Sequence, residues 1–215
     1  MSEQYSFSWG EGSDDALRIT AAPSPVYPDT CKFTLSKAIY PDSAVHFASK
    51  EASQGSPLAE QILAIEDITQ VLIAGDYIDV VIGKPKNWEE FAPQVATTIR
   101  EQIATGKPPV SPSIKENLPS PDKLRERVSE ILDRDVNPSI SSHGGFVKLL
   151  DVKGNTLFLE FGGGCQGCGM ANVTLKYGVE RHLRSQVPEI GEIFDTTNHA
   201  SGNNPYYAPP SGHCG

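Results

Sequence analysis

The 215-residue sequence predicts an α+β protein made of two small α/β-sandwich-type domains joined by a proline-rich linker. In both halves, short runs rich in β-branched residues alternate with segments whose apolar residues recur at helical spacing. Between the halves, residues 106–121 read GKPPVSPSIKENLPSP and contain five prolines, which disfavour both helices and central strands. We therefore expect a semi-extended linker at 110–121, with one domain on either side.

The first half, which follows an N-terminal extension at 1–16, predicts strands and two helices. The predicted strands are LRITAA (17–22), CKFTL (31–35), TQVLIA (69–74) and YIDVVIG (77–83). The last two are separated by Gly75-Asp76, which is typical of a β-hairpin turn. Ser56-Pro57 has the features of a helix start, and a second helix follows Asn87, where apolar residues return at helical spacing.

The second half predicts a helix, a hairpin, another helix and a short last strand. The first helix begins near Asp122 and is broken at NPSISSHGG (137–145). The hairpin strands are FVKLLDV (146–152) and TLFLEF (156–161), with Gly154-Asn155 as the turn. The glycine-rich GGGCQGCG (162–169) then leads into a helix, a strand follows at 193–194, and 197–215 is expected to be a flexible tail.

Composition excludes several classes of protein. The formal net charge of -9 and the pI of about 5.0 argue against nucleic-acid binding, which needs clustered Lys and Arg. No apolar run approaches the roughly 20 residues that span a bilayer, so we expect no membrane partner. The acidic N-terminus resembles neither a secretory signal nor an organellar presequence, so we expect a cytoplasmic protein.

Cys165 and Cys168 form a CxxC pair, and three chemistries share this spacing. A structural zinc site needs four ligands, and Cys31 and Cys214 form no second pair, although His143 leaves zinc open. A thiol–disulfide redox pair usually follows the first strand of a βαβ unit, whereas this pair follows a hairpin. An iron–sulfur cubane also needs four thiolates, which two symmetrically placed chains would supply.

The surrounding glycines favour the cluster. Residues without a Cβ let the backbone approach an inorganic core closely and adopt positive φ. Free amides in such a loop can donate hydrogen bonds to the cluster sulfurs. The helix that begins near Met170 directs the positive end of its dipole at the cysteines, which favours the thiolate.

The segment GGFVKLLDVKGNTLFLEFGGGCQGCGMANVTLKYGVERHLRSQVPEI, with the helix and NPSISSH before it, resembles the C-terminal domain of the NifU/Nfu family of iron–sulfur scaffold and carrier proteins. This resemblance covers residues 122–196. TCKFTL, SPLA, GDYIDVVIGK and the Trp88 helix make 17–109 similar to the N-terminal domain of Nfu proteins.

The resemblance implies a function as well as a fold. It implies a [4Fe–4S] cluster that is shared by a homodimer through Cys165 and Cys168; a [2Fe–2S] cluster is a second form. It implies no enzymatic turnover: the chain would receive clusters from upstream assembly proteins and deliver them to apo iron–sulfur proteins. Residues 17–109 would be a docking or targeting module without cluster ligands. A thiol–disulfide oxidoreductase and a structural zinc-bridged dimer are the alternatives.

The remaining candidate residues have simpler interpretations. We expect Cys31 to be a small buried apolar residue, because free cysteine is among the most buried residue types. His143 is expected to anchor its loop through a hydrogen bond rather than to bind the metal. We expect His182 to lie on a solvated helix face, and we interpret His213 and Cys214 as incidental residues of the tail.

Overall fold

The computed structural model describes residues 7–9, 17–25, 27–84, 87–142, 144–163 and 170–196. At 7–9, 42 and 170–173 it describes the backbone alone. Helices and two separate sheets are present, which confirms the α+β prediction.

The first sheet has six antiparallel strands. They are β1 (Phe7–Trp9), β2 (Ile19–Pro23), β3 (Thr30–Leu35), β4 (Tyr40–Phe47), β5 (Ile68–Gly75) and β6 (Tyr77–Ile82). Their order across the sheet is β1-β2-β3-β6-β5-β4, and the β5–β6 hairpin at Gly75-Asp76 is confirmed. Side chains alternate between the faces, so that Ile78, Val80 and Ile82 are buried on the inner face.

Two helices cover the inner face of this sheet. Helix α1 (Pro57–Ile62) begins at Ser56, whose side chain accepts a hydrogen bond from the Ala59 amide. Helix α2 (Trp88–Ala104) begins at Asn87, whose side chain accepts from the Glu89 amide. The apolar sides of both helices join one core with the inner face. The helix starts expected from the sequence are therefore confirmed.

Strand β4 was not predicted from the sequence. It begins Tyr40-Pro41-Asp42-Ser43, and its register shifts between Tyr40 and Ala44, so its sequence lacks a continuous alternating pattern.

The proline-rich segment differs from its prediction. It contains a short helix α3 (Pro112–Glu116), and Val110 is buried in the first core. The Ser111 amide donates to the Gly55 carbonyl, and the Ser56 hydroxyl donates to the Pro109 carbonyl. Pro109 thus accepts a hydrogen bond and Pro112 lies at the start of a helix, so the expectation of a semi-extended segment is wrong for 112–116.

The second core lies between a three-stranded sheet and three helices. The strands are β7 (Gly145–Lys153), β8 (Thr156–Gly163) and β9 (Ile193–Asp195), and the helices are α4 (Pro121–Ile131), α5 (Asn137–Ser141) and α6 (Met170–Gln186). Strands β7 and β8 form the expected antiparallel hairpin, and β9 pairs in parallel with β8.

The helical conformation that begins with α4 continues into NPSISSHGG, where the sequence predicted a break. A π-helical segment at Leu132–Val136 follows α4, and α5 continues directly from there. Pro138 is tolerated because it lies in the first turn of α5, where its missing amide proton is not needed. Val136 and Ile140 thereby reach the core next to β7.

Within the described part of the chain, no helix is both long enough and apolar enough to cross a membrane.

Asn137 joins the helical segment to β7. Its side-chain amide donates to the Val147 carbonyl over 3.0 Å, and its side-chain oxygen accepts from the Val147 amide over 2.8 Å. Substitution Asn137→Ala leaves two partly buried backbone groups unpaired, at a cost of about 1–3 kcal/mol. We expect amide hydrogen exchange at Val147 to accelerate about tenfold or more.

The matched control is Asn117→Ala, which removes an exposed asparagine that ends α3. Its effect on Val147 exchange should be negligible. Equal protection of Val147 in Asn137→Ala and in the unmodified chain would contradict this assignment.

Candidate functional site

The β7–β8 hairpin brings three glycines together at the end opposite its turn. Gly145 lies opposite Gly163, and Phe146 lies opposite Gly162. Residues 164–169, which contain the CxxC pair, connect this end of β8 to the start of α6. The glycines of the HGG motif therefore lie beside the chain where it enters the CxxC segment.

Gly163 occupies a position that no other residue fits. Its φ is +62°, a conformation that residues with a Cβ rarely adopt. A Cβ placed on it would lie 2.0 Å from the carbonyl oxygen of Gly144, which itself has a φ of +70°. The backbones of the two segments therefore touch directly, and the entry into 164–169 is fixed by backbone packing.

Because Gly162 has no side chain, it leaves space for an aromatic ring. A Cβ on Gly162 would lie 1.9 Å from Cζ of Phe146, so the ring occupies the space above this glycine. Phe146 remains 37% exposed, and the Lys148 ammonium lies 5.0 Å from its ring centroid. This arrangement places a partly exposed aromatic surface one residue pair away from the CxxC segment.

The other end of the segment is positioned by α6. Val179 and Leu183 are buried in the second core, and they fix the orientation of the helix. Lys176 forms an ion pair with Asp195, and its ammonium lies 5.2 Å from the Phe161 ring centroid. Because Asp195 belongs to β9 and Phe161 to β8, the second turn of α6 is held against both strands.

Several residues singled out in the sequence lie outside the described residues. These are Cys165, Cys168, His143, His213 and Cys214. The structure describes the two ends of the CxxC segment and leaves the ligand assignment of Cys165 and Cys168 as a prediction.

Cys31 is fully buried on the inner face of β3, as expected. Burial raises the pKa of its thiol, an effect to which the nearby Asp79 carboxylate adds. A protonated thiol without access to solvent is a poor metal ligand, which supports the interpretation of Cys31 as a core residue.

His182 is half exposed on α6, and its Nε2 atom lies 3.3 Å from Oδ2 of Asp135. Hydrogen bonds, first from Arg134 and then from His182, lower the pKa of the Asp135 carboxyl to about 2. The solvated helix face expected from the sequence thus carries a polar contact to the π-helical segment.

Sequence reasoning did not identify the charged groups on the opposite side of α6. Glu180 and Arg184 lie near Tyr77 and Asp79 of β6, more than a hundred positions earlier in the chain. The alternation along β6 was the available signal, since it directs Tyr77 and Asp79 away from the first core.

Comparison with known proteins gives two family matches. Residues 19–106 match the model described as scaffold protein Nfu/NifU N terminal, and residues 128–194 match the NifU-like domain. The second match includes the hairpin, the CxxC segment and α6.

Curated relatives match over part of their length. The Fe/S biogenesis protein NfuA of Pseudomonas savastanoi is 46% identical over 42% of this chain and 47% of its own length. NfuA of Pseudomonas aeruginosa is 44% identical over 45% of this chain and 48% of its own length. The chain thus spans about half the length of these relatives.

Among solved structures, a NifU-like protein from Saccharomyces cerevisiae is 16% identical, with a TM-score of 0.40 over 52% of this chain and 99% of that chain.

The two family matches together extend from residue 19 to residue 194, with 107–127 between them. The chain therefore belongs to the Nfu/NifU family, and it joins an Nfu/NifU N-terminal domain to a NifU-like domain.

Proposed function

We propose that this protein is an iron–sulfur carrier that binds a [4Fe–4S] cluster between two copies of the chain and delivers it to apo-proteins. Cys165 and Cys168 of each copy would supply the four thiolates that a cubane needs. The observation that carries the proposal is the direct backbone contact of Gly163, the residue that precedes the CxxC segment, with Gly144. The NfuA relatives are Fe/S biogenesis proteins, which supports the same function.

The glycine-lined entrance suits a bulky inorganic cargo. A Cβ on Gly144 would meet nothing within 4 Å, so the space beside the entry to the segment is open and would admit a cluster and a second chain. The exposed ring of Phe146 offers apolar surface at the same end of the hairpin, where the second copy would approach.

Delivery would be a ligand exchange. Each thiolate of the acceptor forms a bond to an iron ion and displaces Cys165 or Cys168, which leaves as a thiolate. The number of iron–sulfur bonds and the charge are conserved, so the step needs neither an oxidant nor catalytic turnover. Because each chain would contribute only two ligands, separation of the two copies exposes half of the coordination sphere at once.

The first domain would recognise partners without binding the cluster. Cys31 is the sole cysteine before Cys165 in the sequence, and it is fully buried. Upstream assembly proteins and apo-acceptors would be its candidate partners. The cytoplasmic location that the sequence suggests stays a prediction.

We expect Cys165→Ser and Cys168→Ser each to abolish stable cluster binding, because a hydroxyl is a hard and weak ligand for iron. The measurement is iron and acid-labile sulfide after anaerobic reconstitution, with absorbance at about 400 nm as the cluster signature. A thiol–disulfide enzyme or a zinc-bridged dimer would lack this absorbance.

Cys31→Ala and Cys214→Ala are the matched controls, and both should keep the iron content of the unmodified chain. Loss of the cluster in Cys31→Ala, with the fold intact, would exclude the shared CxxC site.

The glycine contact gives an independent prediction that leaves the thiolates untouched. Gly163→Ala introduces a Cβ where the Gly144 carbonyl lies 2.0 Å away, so the two backbones must separate. We expect the variant to lose most of its bound iron, because the entry to the CxxC segment shifts.

Gly178→Ala makes the same substitution on α6, at a position where a Cβ meets nothing within 4 Å. It should retain the full iron content and stabilise the helix by up to about 1 kcal/mol. Equal cluster content in the two variants would show that the glycine contact is irrelevant to binding.

A further inference from the structure

The first sheet has a second face, which points away from α1 and α2. We call it the outer face, and it consists of Lys32, Ala44, His46, Leu72, Ala74, Tyr77 and Asp79. The register aligns Lys32, Asp79, Leu72 and His46 in one row across β3, β6, β5 and β4. Thr34, Tyr77, Ala74 and Ala44 form the neighbouring row.

The outer face is covered in part by the second domain. Ala44 and Ala74 are buried, although they lie outside the first core. The side-chain amide of Asn155 donates to the Ala44 carbonyl over 2.7 Å, and a Cβ on Gly191 would lie 2.8 Å from the Ala44 Cβ. Thr34 is exposed at the other end of its row, so the covered area ends between Tyr77 and Thr34.

A stripe on α6 also contacts the first domain, at the loop 27–29 that precedes β3. It consists of Tyr177, Glu180 and Arg184, whose spacing places them on one side of the helix. The Tyr177 ring stacks on Tyr27 with the centroids 4.7 Å apart, and its hydroxyl lies 3.3 Å from Oδ2 of Asp29. Tyr27 and Asp29 belong to the loop between β2 and β3, and the indole of Trp88 donates a hydrogen bond to the Pro28 carbonyl in this loop.

We propose that the outer face is a docking surface for helix α6 of the chain's own second domain, and that this contact opens reversibly to give other proteins access to α6. The occupant is a segment of the same chain, seated through side chains from both domains. Because α6 begins directly after the CxxC segment, opening would change what surrounds the site; this consequence rests on the proposed function.

The charges at this contact suit reversible docking rather than permanent attachment. Asp79, Glu180 and Glu192 bring three carboxyl groups to the contact, against the cationic Lys32 and Arg184. Tyr77 donates a hydrogen bond to Glu192, and the ammonium of Lys32 lies 3.7 Å from the Tyr77 ring centroid. Opposite charges held in such partly buried surroundings add specificity but little net stability, because desolvation offsets their attraction.

The titration of these groups gives the contact a pH dependence. Burial raises the pKa of Asp79 to about 6 and that of Glu180 to about 7. For Asp79, the positive charges of Lys32 and Arg184 oppose this rise in pKa, and the negative charge of Glu192 adds to it. For Glu180, Arg184 and Lys176 oppose the rise, whereas the carboxylates of Asp195 and Asp79 add to it. Burial and Arg184 lower the pKa of His46, beside Gln70, to about 3.

The sign follows from these directions. Two carboxyl groups with raised pKa values take up protons when the domains close, and His46 releases one, so closing takes up protons overall between pH about 5 and about 7. The closed form is therefore favoured at mildly acidic pH and is weakened as the pH rises through the pKa of Glu180.

The test is small-angle X-ray scattering of the full apo-chain, a readout that does not depend on any cluster. Ala44→Arg places a long charged side chain where Asn155 and Gly191 now pack, so the domains must separate and the radius of gyration should rise by several ångströms. Thr34→Arg makes a similar change at the exposed end of the same row and should leave the radius of gyration unchanged.

Tyr177→Ala is a second opening variant, since it removes the stack on Tyr27 without altering the first sheet. The unmodified chain should expand as the pH is raised from about 6 to about 8. Unchanged scattering in both Ala44→Arg and Tyr177→Ala, or equal expansion in Thr34→Arg, would overturn the proposal. Failure to bind a cluster would leave this scattering result intact and would contradict only the proposed function.

Discussion

The packing of helix α6 is the interaction on which both halves of the molecule depend. This helix packs into the second core, contacts the first domain and begins where the CxxC segment ends. Val179 and Leu183 pack into the core of the second domain. The opposite stripe, which contains Tyr177 and Arg184, faces the first domain. The first residue of α6, Met170, marks the end of the CxxC segment. A displacement of α6 would therefore alter the core, the contact between the domains and the candidate site together.

The two ends of the CxxC segment are held by different kinds of contact. At Gly163 the backbone rests directly on Gly144, which leaves no room for adjustment by side chains. At the start of α6 the Lys176–Asp195 ion pair and the apolar side of the helix supply the support. On the proposed function, these two supports would help the chain to retain a cluster. Sharing the ligands between two copies would then allow its release, because a cluster held by two thiolates per chain would be exposed to attack whenever the copies part.

Local sequence signals were sufficient for most of the fold, whereas Cys165 and Cys168 as cluster ligands stay a prediction. Gly75-Asp76 and Gly154-Asn155 marked both hairpins, and Ser56-Pro57 marked the start of α1, because turns and caps are determined by a few adjacent residues. The prediction failed where the tertiary structure overrides local preference. The segment NPSISSHGG was expected to break the helix, yet its Pro138 lies in the first turn of α5.

The contact between the domains could not be predicted because its members are distant in the sequence. Asp79 and Arg184, like Ala44 and Asn155, are brought together by the tertiary structure and not by any local pattern. Alternation in β6 showed which residues point outward but not what would cover them. Polar residues such as Tyr77 and Asp79 on an outward face are compatible with water, so nothing in the pattern indicated a partner surface there.

The sharing of one cluster between two chains is the central claim, and it is tested most directly by measuring mass and iron on the same reconstituted sample. Light scattering coupled to size exclusion should give the mass of two chains for the coloured species. Iron and sulfide analysis should give about two of each per chain, as required when one cubane serves two copies. After chelation the mass should fall as the iron is lost. A coloured species with the mass of one chain and about four iron ions would contradict the account.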